Sequence, residues 1–319
     1  MGAQRIQAIP PSRNSPFWSV MIPTYNPRKD YLEKAIGSLL EQDQGPERMH
    51  IEVVDDCSTK VDVASMVKDI AGERVGYFQN PTNLGLAGCW NACIARARGV
   101  WVHILHQDDY ILPGFYQRLE KAAQSRPEVG LIASRSLFVD EQGIIQNVTP
   151  RLRNLEHGGH AVDDFFYTSP YANPIQCPGV VVRREVYAIL GGFRSDLKYT
   201  LDCEMWARVI GICGGVVVPD VMASYRNSSG NESSNLWRTA EALRDFTRLN
   251  GIFAERYPDF DADHAKSDLC DRALISANEF SKMGDKKAAQ ANLRYWRQNA
   301  PVKRQLIRFM SNTVRKLIG

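Results

Sequence analysis

Val100-Trp101-Val102-His103-Ile104-Leu105-His106-Gln107-Asp108-Asp109 decides the fold of this chain. Val100 to Leu105 is mostly apolar and rich in β-branched and aromatic residues, so it reads as a buried strand. The run stops at a polar turn that ends in two adjacent carboxylates. Working outward, short apolar runs closed by polar clusters recur upstream. Phe17 to Ile22 ends at Pro23-Thr24-Tyr25-Asn26-Pro27, and Ile51 to Val54 ends at Asp55-Asp56. Val75 to Phe78 precedes the loop Asn83-Leu84-Gly85-Leu86-Ala87-Gly88. Helical patterns lie between them. One has Leu32, Ile36, Leu39 and Leu40 on its apolar face with Asp30 as expected cap; another covers Val61 to Ile70; a third runs from the glycine loop to about Arg98. Such alternation predicts parallel β-α-β units in an α/β sheet covered on both faces. Ligands of these sheets sit beyond the carboxyl ends of the strands, where all these polar clusters fall.

Downstream the alternation weakens. Val129 to Ala133 is a strand, and Ser136 to Asp140 with Ile144 to Val148 reads as a hairpin around Gln142-Gly143. Arg151 to Ser169 is irregular. Gly179 to Val182 returns to strand, Arg184 to Leu190 and Leu201 to Ile212 to helix, and Val216 to Val218 with Val221 to Tyr225 closes the globular part. Ser228 to Ser234 is a polar linker, followed by helical patterns from about Asn235. The expected organisation is a flexible tail over 1–16, a catalytic domain over 17–230 and a helical extension over 231–319.

The 319 residues carry a net charge of +3, too little to indicate a nucleic-acid partner. No apolar run reaches the roughly 18 residues needed to cross a bilayer. The first residues lack the apolar core of a signal peptide, and the seven cysteines form no paired framework. Both point to a reducing cytoplasm. Cys89 and Cys93, at helical spacing, read as packing residues.

Two adjacent carboxylates repel each other, and a cation relieves the repulsion. Mg²⁺ and Mn²⁺ bind through one or two carboxylates together with substrate phosphates. Asp108-Asp109 meets that requirement, but taken alone it serves equally as the N-cap of the helix after Pro113-Gly114. His106 reads as a turn residue, with a metal ligand as the alternative.

Val20-Met21-Ile22-Pro23-Thr24-Tyr25-Asn26, Val53-Val54-Asp55-Asp56-Cys57-Ser58, Asn83-Leu84-Gly85-Leu86-Ala87 and Gln107-Asp108-Asp109 resemble, in order and spacing, the family 2 glycosyltransferases. The resemblance spans Phe17 to Arg226. It implies a GT-A fold, a Rossmann-like mixed sheet flanked by helices. It also implies inverting transfer from a nucleotide-diphosphate sugar with Mn²⁺ or Mg²⁺. It places Pro23, Thr24 and Tyr25 against the nucleoside, and Asp56 on the base, which favours a UDP- or dTDP-sugar. Asn83 and Gly85 would follow ribose and diphosphate, Asp108 would support the donor or the metal, and Asp109 would bind the metal.

Inversion needs a base opposite the leaving diphosphate. In Leu201-Asp202-Cys203-Glu204-Met205-Trp206-Ala207-Arg208, Asp202 matches the family's base and Arg208 its structural arginine. The family more often has Glu where Leu201 stands. Glu204 is the other candidate base; a helix N-cap is the competing reading of Asp202, with Thr200 as the other candidate cap. Tyr225-Arg226-Asn227-Ser228 lacks the histidine many relatives carry, which leaves Arg226 to neutralise diphosphate or to form a surface salt bridge. Asn173 to Gly179 lies where the family shapes its acceptor pocket.

The expected acceptor is a glycan or lipid-linked hydroxyl. Leu306, Ile307, Phe309, Met310, Val314, Leu317 and Ile318 alternate with basic residues in the tail. That pattern fits either a packed helix with a solvated basic face or a peripheral helix on an anionic membrane. A catalytically silent sugar-nucleotide-binding subunit is the alternative to an enzyme. Intact Asp108, Asp109 and Asp202 speak against it.

Overall fold

The computed structural model describes residues 6, 15–165, 173–228, 230 and 232–301. The expected flexible tail, apart from Ile6, Ser15 and Pro16, and the basic stretch from Leu306 to Ile318 lie outside the described residues. The chain divides into two compact units, Met1–Ser228 and Ser229–Gly319.

The first unit opens with β1 (Trp18–Thr24), α1 (Lys29–Leu40), β2 (Met49–Asp55), α2 (Val63–Ala71), β3 (Gly76–Gln79), α3 (Gly85–Arg96) and β4 (Trp101–Ile104). β1 pairs in parallel with β2 and β4, and β2 with β3. Thr24 therefore lies beside Asp55, and Asp55 beside Gln79. Asp62 caps α2 by accepting from Ser65 N at 3.0 Å. Asp30 does not cap α1. The helix starts after Arg28, and Asp30 sits in the first turn, paired with the Arg28 guanidinium at 2.6 Å.

The second half follows with β5 (Tyr110–Ile111), α4 (Phe115–Ser125), β6 (Leu131–Val139), β7 (Ile145–Val148), β8 (Val180–Arg183), α5 (Arg184–Leu190), α6 (Leu201–Cys213) and β9 (Gly215–Arg226). The sheet order is β3-β2-β1-β4-β8-β6-β9-β5, with β7 paired to β6. β8 enters antiparallel to both neighbours, so the sheet is mixed. Two expected strand pairs fuse here. β6, Leu131–Val139, takes in most of both expected strands Val129–Ala133 and Ser136–Asp140, and β9 runs through Pro219. The register shifts at Ser134 to Ser136, and Pro219 and Asp220 lie opposite that break without a partner on β6. Pro219 has no N–H to give the ladder, and the irregularity absorbs it.

One core cluster joins alternate sheet residues Trp18, Val20 and Ile22 to Leu32, Ile36 and Leu39 of α1, Val67 of α2, and Phe115 and Leu119 of α4. α3 packs on β1, β2 and β4, α5 on β8, and α6 on β6. The sheet is thus flanked by helices as predicted. Gly99 marks the tightest approach before β4. A Cβ there would stand 2.4 Å from the Trp18 and Ser19 backbone, closer than any side chain tolerates.

The second unit holds α7 (Glu232–Arg238), α8 (Glu241–Arg256), α9 (Ala262–Lys282) and α10 (Lys286–Asn299). α7 begins inside the stretch read as a linker. Asp261 and Asp285 cap α9 and α10 through His264 N and Ala288 N. Leu243, Cys270, Ala273, Tyr295 and Trp296 form its own core. Among the described residues, no helix is long and apolar enough to cross a membrane.

Candidate active site

The ends of β1, β2 and β4 and the start of α3 are laced into one rim. Asp56 N donates to Thr24 O at 2.7 Å, which closes β2 onto β1. Tyr25 N donates to Gln107 Oε1 at 2.8 Å, which ties the first turn to the acidic one. Asn26, at φ +46, accepts at Oδ1 from Thr59 and Lys60 N and donates its own N–H to Ser58 Oγ. Of the three residues expected at the nucleoside, Pro23 and Thr24 are buried, whereas Tyr25 is 49% exposed. Its ring is the exposed part of this turn.

Asp56 is tied into the protein itself. Only 3% exposed, it accepts from Asn80 Nδ2 and Leu84 N at 2.9 Å on Oδ1 and from Gly85 N at 2.9 Å on Oδ2. It holds the glycine loop and the first amides of α3. Asn83 is part of the same knot, donating from Nδ2 to Asp56 O at 3.1 Å and accepting Gly85 N at 3.1 Å. Gly85 makes the turn at φ +70, which disfavours a side chain.

The acidic turn is built differently. Asp109, 1% exposed, accepts Arg226 N at 2.8 Å on Oδ1. Its Oδ2 has no hydrogen-bond partner; His106 Nδ1 lies 3.2 Å away but out of hydrogen-bond alignment. His106 Nε2 is likewise unpartnered, and the imidazole stacks on Trp90 at 4.8 Å. Burial opposes a proton on His106, but the Cys177 and Asp109 groups outweigh it and hold the ring well above its usual range. Asp108 is pushed up to about 6, by burial first and by the Asp109 charge second. Ligand atoms of His106, Asp108 and Asp109 all lie within 4.8 Å of one another. The cap reading fails: α4 begins after Gly114, at φ +84, with no side-chain cap.

Arg226 departs from expectation. It is 6% exposed, and its Nε donates to Asp108 O at 3.0 Å. Nη1 donates to Asp140 O and Glu141 O, and the guanidinium lies over the Tyr31 ring at 4.3 Å. It clamps the acidic turn and makes neither a surface ion pair nor an open diphosphate site.

Asp202 stands in the first turn of α6 and does not cap it. Its Oδ1 accepts its neighbour Cys203 N at 2.7 Å, and Oδ2 accepts Asn173 Nδ2 at 2.7 Å. Burial pushes its carboxyl up to about 6, against the Cys203 amide, the His106 charge and the Asn173 amide. Glu204 is removed as a base. It is 2% exposed and paired with Arg208, which is 3% exposed, by contacts of 3.0 Å on both oxygens. Arg208 also binds the carbonyls of Leu190 and Gly192, so its role is structural.

A strand-end rim, a buried carboxylate with a bare oxygen and a second raised carboxylate are a set that many enzymes share. The profile of Glycosyl transferase family 2 matches residues 19–185, more than half of the chain. The chain belongs to glycosyl transferase family 2. Uncharacterized protein MT1568 of Mycobacterium tuberculosis is 29% identical over 255 residues, 77% of this chain and 78% of that protein. Among solved structures, Staphylococcus aureus TarS 1–349 in complex with UDP-GlcNAc superposes with a TM-score of 0.61 at 18% identity. The match covers 89% of this chain and 82% of TarS 1–349. The mannosyltransferase PcManGT from Pyrobaculum calidifontis, in complex with GDP-Man and Mn²⁺, gives 0.55 at 19% identity, covering 98% and 84%. This family 2 glycosyltransferase therefore has the GT-A fold.

The family 2 chain gathers Tyr25, Asn83, Gly85, Asp108 and Asp109 at the carboxyl edge of its parallel strands. The charges of His106 and Asp202 act on each other, and Cys177 feels His106, Asp202 and Asp109. Gln107, Ser58, Trp90 and the Asn173 amide were given no role from sequence. Gln107, Ser58 and Asn173 did sit inside quoted stretches, the acidic turn, Val53–Ser58 and Asn173–Gly179.

Proposed function

We propose that this glycosyltransferase is inverting and metal-dependent, and moves a sugar from a UDP- or dTDP-sugar to a hydroxyl of a glycan or glycolipid. One observation carries the reading. His106, Asp108 and Asp109 converge, with ligand atoms within 4.8 Å of one another, and buried Asp109 Oδ2 makes no hydrogen bond, its neighbour being His106 Nδ1 at 3.2 Å. An oxygen-rich donor set with a buried carboxylate oxygen outside the hydrogen-bond network fits Mn²⁺ or Mg²⁺. When bound, the ion would neutralise charge on the leaving diphosphate. Asp109 would hold it, with Asp108 and His106 beside it, and Arg226 would keep the turn rigid. Tyr25 would stack on the base, and the Asn83–Gly85 loop, braced by Asp56, would lie along ribose and diphosphate. Asp202 would take the acceptor proton. A carboxylate raised to about 6 is a better base at neutral pH than an ordinary aspartate. Residues 17–230 form the catalytic domain in this reading, and 231–319 an extension.

The donor base is the point to test first, because Asp56 is engaged within the protein. The two solved neighbours hold UDP-GlcNAc and GDP-Man. Thermal shift with UDP-, dTDP- and GDP-sugars, each with and without Mn²⁺, separates the cases. The expected result is a larger shift with UDP- or dTDP-sugars and only in the presence of metal. Equal shifts without metal would remove the metal assignment, and a preference for GDP the donor assignment. Asp202→Asn should lower turnover by about 10²–10⁴-fold. The base must be ionised, so wild-type turnover should fall as pH drops through about 6. A profile flat down to pH 5 contradicts Asp202 as base. Flotation with anionic vesicles, with and without residues beyond Ala300, tests whether the basic tail reaches a membrane.

A further inference from the structure

We propose that Asn173 is the positioning residue of the base, and that its side-chain amide holds Asp202 in the orientation from which the carboxylate takes the acceptor proton. The inference rests on the reading of Asp202 as base and deepens it. Asp202 lies in the first turn of α6, where its side chain is gripped at both oxygens. One grip, from Cys203 N, belongs to its own helix. The other, from Asn173 Nδ2 at 2.7 Å, comes from a residue 29 positions away.

Asn173 is itself held so that its NH₂ faces Asp202. Its Oδ1 accepts Ile175 N at 3.2 Å, which leaves Nδ2 pointing the other way. Its backbone carbonyl accepts Gln176 Nε2 at 2.8 Å, and Gln176 is 8% exposed. The segment is then anchored to the sheet. Pro178 O lies 3.0 Å from His103 Nε2, and His103 Nδ1 lies 2.9 Å from Tyr116 OH. Burial drives His103 down to about 4, so at neutral pH the ring carries one proton. Pro178 O can only accept, so that proton is on Nε2, and Nδ1 accepts from Tyr116. A neutral buried histidine on β4 thus fixes the loop, the loop fixes Asn173, and Asn173 fixes the carboxylate. Such support of a reacting group by a second layer of hydrogen bonds is worth about 10–100-fold where it has been measured at metal sites. His106, Cys177 and Cys203 are the other titratable groups that interact with Asp202, and none of them is changed by substitution of Asn173.

The test compares wild type with N173A, N173D and D202N. Nucleotide release from UDP-N-acetylglucosamine with Mn²⁺ gives kcat and KM, and carboxyl ¹³C titration, assigned with D202N, follows Asp202 without substrate. In N173A, kcat should fall about 10–100-fold with the donor KM within about threefold. The Asp202 midpoint and the acid limb of kcat should both move up by about one pH unit, because the ionised carboxylate loses a donor. N173D is isosteric and sets a carboxylate in place of the amide, so its midpoint should rise further; it carries the test if N173A does not fold. An unchanged midpoint, or a moved midpoint with unchanged kcat, overturns the proposal. With no turnover on this donor, the titration alone decides. Full turnover by D202N would instead overturn the base reading, which is a distinguishable failure.

Discussion

Two Asp-Asp pairs end two strands of one sheet, and they have opposite fates. At the end of β2, Asp55 accepts Ser58 N at 3.1 Å, Tyr77 OH at 3.0 Å and Gln79 Nε2 at 2.9 Å, and Ser58 Oγ binds it as well. Asp56 is filled by Asn80, Leu84 and Gly85. After β4, Asp109 keeps one oxygen without a hydrogen bond, 3.2 Å from His106 Nδ1, and Asp108 holds its proton up to about 6. A carboxylate whose lone pairs are occupied by amides is framework. A buried one with an oxygen outside the hydrogen-bond network, as Asp109 Oδ2 is beside His106 Nδ1 at 3.2 Å, is the one the proposed cation would use. The contrast is between carboxylates filled by hydrogen-bond donors and one that keeps an oxygen outside the network.

The sharpest way to break that distinction is Asp109→Asn. It should abolish the Mn²⁺-dependent part of the thermal shift and lower turnover on the order of 10³-fold, since several kcal/mol of leaving-group stabilisation go with the ion. A retained Mn²⁺ response would place the cation elsewhere. Asp56→Ala should act on stability first. It strands the Leu84 and Gly85 amides and the Asn80 amide, a loss of about 2–4 kcal/mol seen as a lower urea midpoint. The Mn²⁺ response of the folded fraction should survive, and its loss would erase the difference between the pairs.

Asp108→Asn sharpens the contrast through pH. A carboxyl raised from 3.8 to about 6 stabilises the fold below pH 3.8, and that contribution is lost as pH rises through 6. Without metal at pH 8, removing the charge should therefore raise stability by about 1–3 kcal/mol, because each pH unit between the unfolded and folded midpoints is worth at most ~1.4 kcal/mol. At pH 4 the gain should disappear. Melting curves at both pH values check this, and a gain that persists at pH 4 has another cause. The smallest effect is expected for Gly85→Ala. A residue at φ +70 costs about 1 kcal/mol when it gains a Cβ, although nothing crowds that position. Donor affinity should fall with it if the loop follows the diphosphate.

Much of the first half was legible because its information is local. Apolar runs of strand length, helical faces between them and glycine at the loop position Gly85 specify β1 to α3 without reference to distant residues. The second half was less so. Nothing local says that β8 inserts antiparallel between β4 and β6, or that β9 continues through Pro219. Those outcomes depend on which edges remain to be paired once the parallel block has formed. Asp202 could be found through family resemblance and Asn173 only as part of a loop, because a bond across 29 residues leaves no periodic trace.

The sequence alone determined the alternating architecture and the polar, carboxylate-bearing clusters at the strand ends, since side-chain periodicity and turn chemistry are written residue by residue. Tertiary structure alone decided which carboxylates are available. Asp56 and Glu204 are consumed by partners from a neighbouring loop and from the next helical turn. Asp109 is buried with an oxygen to spare, and Arg226 is spent holding its turn. A carboxylate's chemistry is set by how many donors surround it and how much water is removed, and both are properties of packing.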